Sequence, residues 1–162
     1  MIITVPKEIA DGERRVALIP DTVARMVKGG MEVLVESGAG DGALSFDQAY
    51  LDAGATIVDD TVLLYEQADV VLKIQAPMMN ETIGHHEADL LREGATVIAF
   101  LQPMVNFLLA QRLASRGVTT FSMDAIPRIA RAQSMDALTS MASIAGYKAV
   151  LIAAYSLGRF MP

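Results

Sequence analysis

The 162-residue chain contains no cysteine and no tryptophan. Without cysteine there are no disulfides, thiolate zinc sites or thiol nucleophiles, and the composition agrees with a reducing compartment, so a cytoplasmic location is expected. Histidine is almost as scarce. His85 and His86 are adjacent, so they lack the i, i+4 spacing of a helical metal pair and read as surface residues. With no G-x-S-x-G either, nothing supports a hydrolytic triad or a metal site. Positive charge is also in short supply. Thirteen basic residues against nineteen acidic ones give a net charge of −6, and the basic residues are dispersed, which argues against nucleic acid as a partner. Long apolar runs are few. The N-terminus MIITV turns polar after a few residues and lacks the apolar stretch of a signal peptide, so it reads as a strand. Only 137–158 approaches membrane length; Lys148, Thr139, Ser140 and Ser143 interrupt it, favouring a buried helix over direct membrane insertion.

Apolar residues make up 52% of the chain and charged residues 20%, which excludes a disordered polymer and fits a sheet covered on both faces. Four segments, VKGGMEVLV, DAGATIVDD, REGATVIAF and SRGVTTFSM, place a glycine between an amphipathic stretch and a β-branched run. Glycine just past a helix terminates it in the left-handed conformation, so each segment reads helix, glycine, strand. Val23, Met26, Val27 and Gly30 form one helical stripe, and Phe46, Ala49, Tyr50 and Ala53 another. Strands are expected near 2–5, 32–36, 56–58, 69–74, 96–101 and 118–123. The predicted fold is α/β: a doubly wound, mostly parallel, Rossmann-like or flavodoxin-like sheet, followed by a long C-terminal helix of about 25 residues.

A dinucleotide fingerprint is the first candidate for function. In VESGAGDGA, Gly38, Gly40 and Ala43 fit G-x-G-x-x-G/A, and Asp60 lies twenty residues beyond Gly40, where a ribose-binding acid is expected. Two features oppose it. Ser45 and Gln48 form a capping-box pattern that starts the helix after the glycines, and Asp41 puts a carboxylate where phosphates would sit. The competing reading is a tight turn, with Asp59 and Asp60 capping the helix DTVLLYEQA.

Lys7, Arg14 and Arg15 flank the first strand, while Lys73 and Gln102 fall at strand carboxyl ends, where doubly wound sheets gather ligand groups. Solvated strand-end residues are the alternative. Most of the ten methionines occupy apolar positions and read as core filling.

The richest polar constellation is PRIARAQSMDALTS. On a continuous helix, Gln133, Asp136 and Ser140 share one stripe with Thr139 at its edge, opposite Met135, Leu138, Met141 and Ala142, and Arg128 and Arg131 precede it. An amide, a carboxylate, a hydroxyl and a guanidinium supply donors and acceptors for a carboxamide or ribose. On the residues alone, a solvated amphipathic face is the favoured reading of the pattern.

PRIARAQSMDALTSMASIAGYKAV closely resembles the segment that characterises the alpha subunit of proton-translocating NAD(P) transhydrogenases, and PKEIADGERRVALIP with VESGAGDGA resembles the start shared with alanine dehydrogenases. The resemblance runs over essentially the whole chain. It implies an N-terminal domain over 1–136, then a helix over 137–162 leading to a second domain that carries the main NAD(H) site and the family's true glycine fingerprint. It also implies a homodimer, a partner component binding NADP(H), and a membrane component coupling hydride transfer to proton movement. The domain would then lie peripheral to the inner face of the membrane through those partners.

Carried over residue by residue, Arg128, Gln133, Asp136 and Thr139 resemble groups that hydrogen-bond the nicotinamide and its ribose, and the turn Arg128, Ile129, Ala130, Arg131 would line the dinucleotide. No residue of this chain is assigned a catalytic role. Family members often carry serine at the position of Thr139, which keeps the hydroxyl. In the alanine dehydrogenase branch, positions matching Arg15 and Lys73 bind pyruvate and a histidine stands where this chain has Gln102. An amide does not shuttle protons near neutral pH, so amino-acid oxidation is disfavoured, and Arg15 and Lys73 are expected to be structural. A non-catalytic dimerisation or docking module is the other alternative.

Overall fold

β-branched runs that alternate with glycine-terminated helices assemble into two units, Met1–Ser122 and Met123–Pro162. The computed structural model describes residues 1–160; positions 161 and 162 of the expected C-terminal segment lie outside the described residues. In chain order the first unit contains β1 (Ile2–Val5), α1 (Pro20–Lys28), β2 (Glu32–Glu36), α2 (Asp47–Asp52), β3 (Thr56–Val58), α3 (Thr61–Gln67) and β4 (Val70–Gln75). A small antiparallel hairpin, β5 (Met79–Asn80) and β6 (His85–His86), leads into α4 (Glu87–Leu90), and β7 (Thr96–Phe100), α5 (Phe107–Ser115) and β8 (Thr119–Ser122) complete it. The main sheet is parallel throughout, in the order β3-β2-β1-β4-β7-β8. Setting the hairpin aside, this is the order of a doubly wound sheet, whose switch point lies between β1 and β4.

Burial explains why the sequence reads as this fold. The central strand β1 is flanked on both sides, with Thr4 in register with Leu34 and with Val71, so three of its four residues are buried. Ile3, Val5, Val33 and Val35 pack with Val23 and Tyr50, while Val71, Val97 and Ala99 pack with Tyr65, Leu91, Leu109 and Leu113. The punctuating glycines Gly30, Gly54, Gly94 and Gly117 all adopt positive φ, the conformation that only glycine takes without strain.

Several local expectations are corrected. Ser45 does not cap α2: the helix starts at Asp47 after an extended Phe46 with no side-chain cap, because the Ser45 amide donates back to the Gly40 carbonyl at 3.0 Å and Leu44 takes a left-handed turn. Methionine does not fill the core, since no described methionine is fully buried; Met26 and Met31 pack at its margin, and Met104 is 81% exposed.

The second unit contains short 3₁₀ turns at Met123–Ala125 and Ala130–Met135, then α6 (Ala137–Ser156). The expected continuous helix is broken at Asp136, whose ψ of 81° leaves the helical region, so Gln133 and Asp136 do not share an α-helical stripe. The 20 residues of α6 are long and apolar enough to cross a bilayer by length and composition, but contrary to the buried helix read from the sequence, none of them is buried.

Candidate functional site

The glycine turn after β2 is closed on itself. Gly38 N–H donates to Asp47 Oδ1 at 2.9 Å and Ser37 Oγ donates to Asp47 Oδ2 at 3.0 Å. The amides of Ala39, Asp41, Ala43, Leu44 and Ser45 all donate to carbonyls within the turn. These are the donors a pyrophosphate would need. Glycine is required here for close packing: a Cβ on Gly40 would stand 2.1 Å from the Ser45 carbonyl oxygen, and one on Gly42 would stand 2.8 Å from that of Arg14. Asp60 caps α3, accepting from Val62 N at 2.9 Å and Leu63 N at 3.1 Å, which is the role a ribose-binding reading would have replaced.

The crevice at the β1/β4 switch point is filled by ion pairs. Lys73, with no exposed side-chain surface, donates to Glu87 Oε1 at 2.8 Å and lies 3.5 Å from Glu8. The Tyr65 hydroxyl donates to the same Glu87 oxygen at 2.8 Å. Glu8 also accepts from the amides of Ile74 and Gln75, so the segment after β1 is laced to the end of β4. Burial pushes the Glu8 carboxyl above its ordinary range, opposed by the Lys73 charge. Arg15 is likewise engaged internally: its Nε donates to Glu13 at 2.7 Å, and this guanidinium holds the Glu13 carboxyl down at about 2. The sequence places Lys73 and Gln102 at strand carboxyl ends but does not reveal the partners of Lys73, because contacts between residues 8, 73 and 87 depend on which strands are neighbours. Gln102 follows β7 in the left-handed region, its carbonyl accepting from Val105 and Asn106.

The second unit gathers the polar constellation differently. Pro127, Arg128, Ile129, Ala130, Ala132, Gln133, Asp136 and Thr139 line a cavity of about 210 Å³. Six of the seven residues singled out above lie on it, and Arg131 is exposed without lining it. Asp136 organises this cavity. It caps α6, with Oδ1 accepting from Thr139 N at 2.9 Å and Oδ2 from the Thr139 hydroxyl at 2.6 Å. The Thr139 hydroxyl, the Thr139 amide and the charge of Arg128 together hold its carboxyl below the usual range, so it is ionised at neutral pH. The 3₁₀ turn keeps Ile129 and Gln133 on the same rim, with Ala132 N donating to Ile129 O at 2.9 Å.

Chemically, the rim presents a guanidinium, a primary amide and a carboxylate beside apolar surface from Pro127, Ile129 and Ala132. A carboxamide on a flat ring needs an acceptor for its NH₂ and a donor for its oxygen, which this set provides, so the residues present fit a nicotinamide.

The family described as alanine dehydrogenase/PNT, N-terminal domain, matches residues 4–145. An NAD(P) transhydrogenase subunit alpha polypeptide of Rhodospirillum rubrum is 44% identical over all 162 residues, which span 42% of that relative. The alanine dehydrogenase of Bacillus subtilis is 35% identical over 157 residues, covering 97% of this chain and 39% of that protein. Among solved structures, the transhydrogenase from Sinorhizobium meliloti superposes with a TM-score of 0.89 at 41% identity, covering all of this chain and 46% of the other.

Proposed function

The chain belongs to the alanine dehydrogenase/PNT N-terminal domain family, and within it we propose that it is the first domain of a proton-translocating NAD(P) transhydrogenase alpha subunit, supplying one wall of the NAD(H) site. The chain spans less than half the length of the transhydrogenase relatives it matches, so the activity belongs to a larger assembly. The observation that carries the reading is the coincidence of the 210 Å³ cavity with Arg128, Gln133, Asp136 and Thr139 in a chain 44% identical to a transhydrogenase subunit.

In this reading Gln133 and Arg128 hydrogen-bond the carboxamide, and Asp136, ionised and anchored by Thr139, accepts from the amide or ribose. Their task is orientation: they fix the ring so that its reactive carbon faces the acceptor. NADH supplies the hydride when bound. The remainder of the subunit holds the rest of the dinucleotide, a partner component holds NADP(H), and a membrane component couples transfer to proton movement. The subunit is a homodimer, peripheral to the cytoplasmic face of the membrane through those partners. The burial of Lys73 between Glu8 and Glu87 favours this reading over amino-acid oxidation, because that cation is engaged inside the fold.

Titrating NADH fluorescence with this chain and with the intact alpha subunit tests the division of labour. The intact subunit is expected to bind tightly and the 162-residue chain weakly. Equally tight binding by both would overturn it.

A further inference from the structure

The hairpin after β4 carries a feature that the cofactor reading leaves unused. His86 ends β6 and is half-buried, pairing in register with Met79 across the hairpin. Its Nδ1 accepts the Ala88 amide at 3.1 Å and so caps the first turn of α4. An acceptor at Nδ1 requires the neutral tautomer with its proton on Nε2. The next residue, Glu87, anchors the hairpin to the sheet: its Oε2 accepts from Met78 N at 2.9 Å, and its Oε1 takes Lys73 and Tyr65.

Across from His86, α5 contributes Arg112, which with Asn106, Leu108 and Leu109 and the hairpin residues Pro77, Met78 and Met79 lines a groove of about 560 Å³. Arg112 Nε pairs with Asp89 Oδ1 at 3.4 Å, with both side chains partly exposed to solvent. The charged groups facing the imidazole are therefore Arg112 from α5, opposing its protonation, and Asp89 and Glu87 from α4, favouring it.

We propose that His86 is a pH-operated latch: protonation at Nδ1 breaks the cap on α4, sets a second cation beside Arg112, and loosens the 79–86 hairpin from α5. The chemistry follows from the imidazole having one acceptor only while neutral, so the charged ring donates where it previously accepted. Burial and Arg112 both push the titration below the ordinary histidine range, so the latch is closed at neutral pH and opens under mild acid. The hairpin then exchanges between docked and loosened states, while the sheet core behind Glu87 stays formed.

The test is an NMR titration of the full chain from neutral pH into mild acid, following the His86 ring protons and the Ala88 amide together. The Ala88 amide is expected to move with the midpoint of the His86 ring, and its exchange, corrected for intrinsic pH dependence, to rise about five-fold, the equivalent of a capping bond of about 1 kcal/mol. In His86→Asn, whose side chain caps without titrating, the amide should stay in its neutral-pH position throughout. In His86→Ala it should sit in the uncapped position at every pH. An Ala88 amide indifferent to the His86 titration would overturn the proposal. So would an identical pH response in His86→Asn.

Discussion

Lys73 and Glu87 meet at 2.8 Å with both side chains essentially excluded from solvent, at the point where the order of the sheet reverses. A buried pair of this kind contributes less through its own attraction than it costs when one partner is lost. Lys73→Met is therefore expected to destabilise the chain by about 3–5 kcal/mol, leaving Glu8 and Glu87 buried without a cation. The double variant Lys73→Met with Glu87→Gln should cost less than Lys73→Met alone, because one stranded charge is removed with its partner. Urea unfolding of the singles and the double checks this.

The same crevice gives stability two opposing pH dependences. Glu8 has a raised carboxyl pKa in the folded chain, so its contribution weakens as pH rises from the ordinary carboxylate range through that raised value. Glu13 is held at about 2, so its contribution is complete above about 4.5 and is lost as pH falls toward 2. Thermal melts across pH should show the acid-side loss flattened in Glu13→Gln. In Glu8→Gln the decline above the ordinary carboxylate range should disappear, with the acid-side loss retained.

Gly40 distinguishes a packing turn from a phosphate cradle. Gly40→Ala forces a Cβ into the Ser45 carbonyl and the Tyr50 ring, and is expected to destabilise by about 2 kcal/mol or more. Its effect on NADH affinity in the intact subunit should vanish at temperatures where the variant is fully folded. Affinity lost by a folded variant would return the nucleotide to this turn.

All six strands of the main sheet were legible in the sequence, because each is a short β-branched run bounded by a turn, and a parallel sheet buries such runs whole. The glycine turn was also legible as a turn: the acid at 41 and the late helix start both pointed away from phosphate, although the start falls at Asp47 rather than after Ser45. What remained hidden depends on three-dimensional neighbours. Glu8 and Glu87 became partners of Lys73 only through strand order, and His86 looked like a surface residue because its acceptor role depends on a four-residue helix too short to announce itself. The PRIARAQSMDALT constellation was read with a helical period, yet Asp136 breaks that period by capping α6. The residues still converge on one cavity because the 3₁₀ turn and the cap bend the chain around it. The exposure of α6 was misread because an apolar composition without wide polar interruption is the same for a core helix and for one left uncovered.

Thr139 separates the hydroxyl from the cap. Thr139→Ser keeps both bonds to Asp136, whereas Thr139→Val removes the 2.6 Å hydroxyl bond and keeps the amide one. With the first cause of its depression gone, the Asp136 carboxyl should titrate closer to the ordinary range in Thr139→Val and stay low in Thr139→Ser. Carbon-detected NMR of the carboxyl reads this directly.

The proposed orientation of the nicotinamide by the rim of the 128–139 cavity is tested most directly by hydride transfer from NADH to an NADP analogue in the proposed assembled transhydrogenase carrying Asp136→Asn. That substitution preserves a helix-capping oxygen while removing the charge. The expected result is transfer slowed by about ten-fold or more with an unchanged melting temperature, since misorientation of a reacting ring costs rate without costing fold. Transfer at the unaltered rate would contradict the assignment of this cavity to the cofactor.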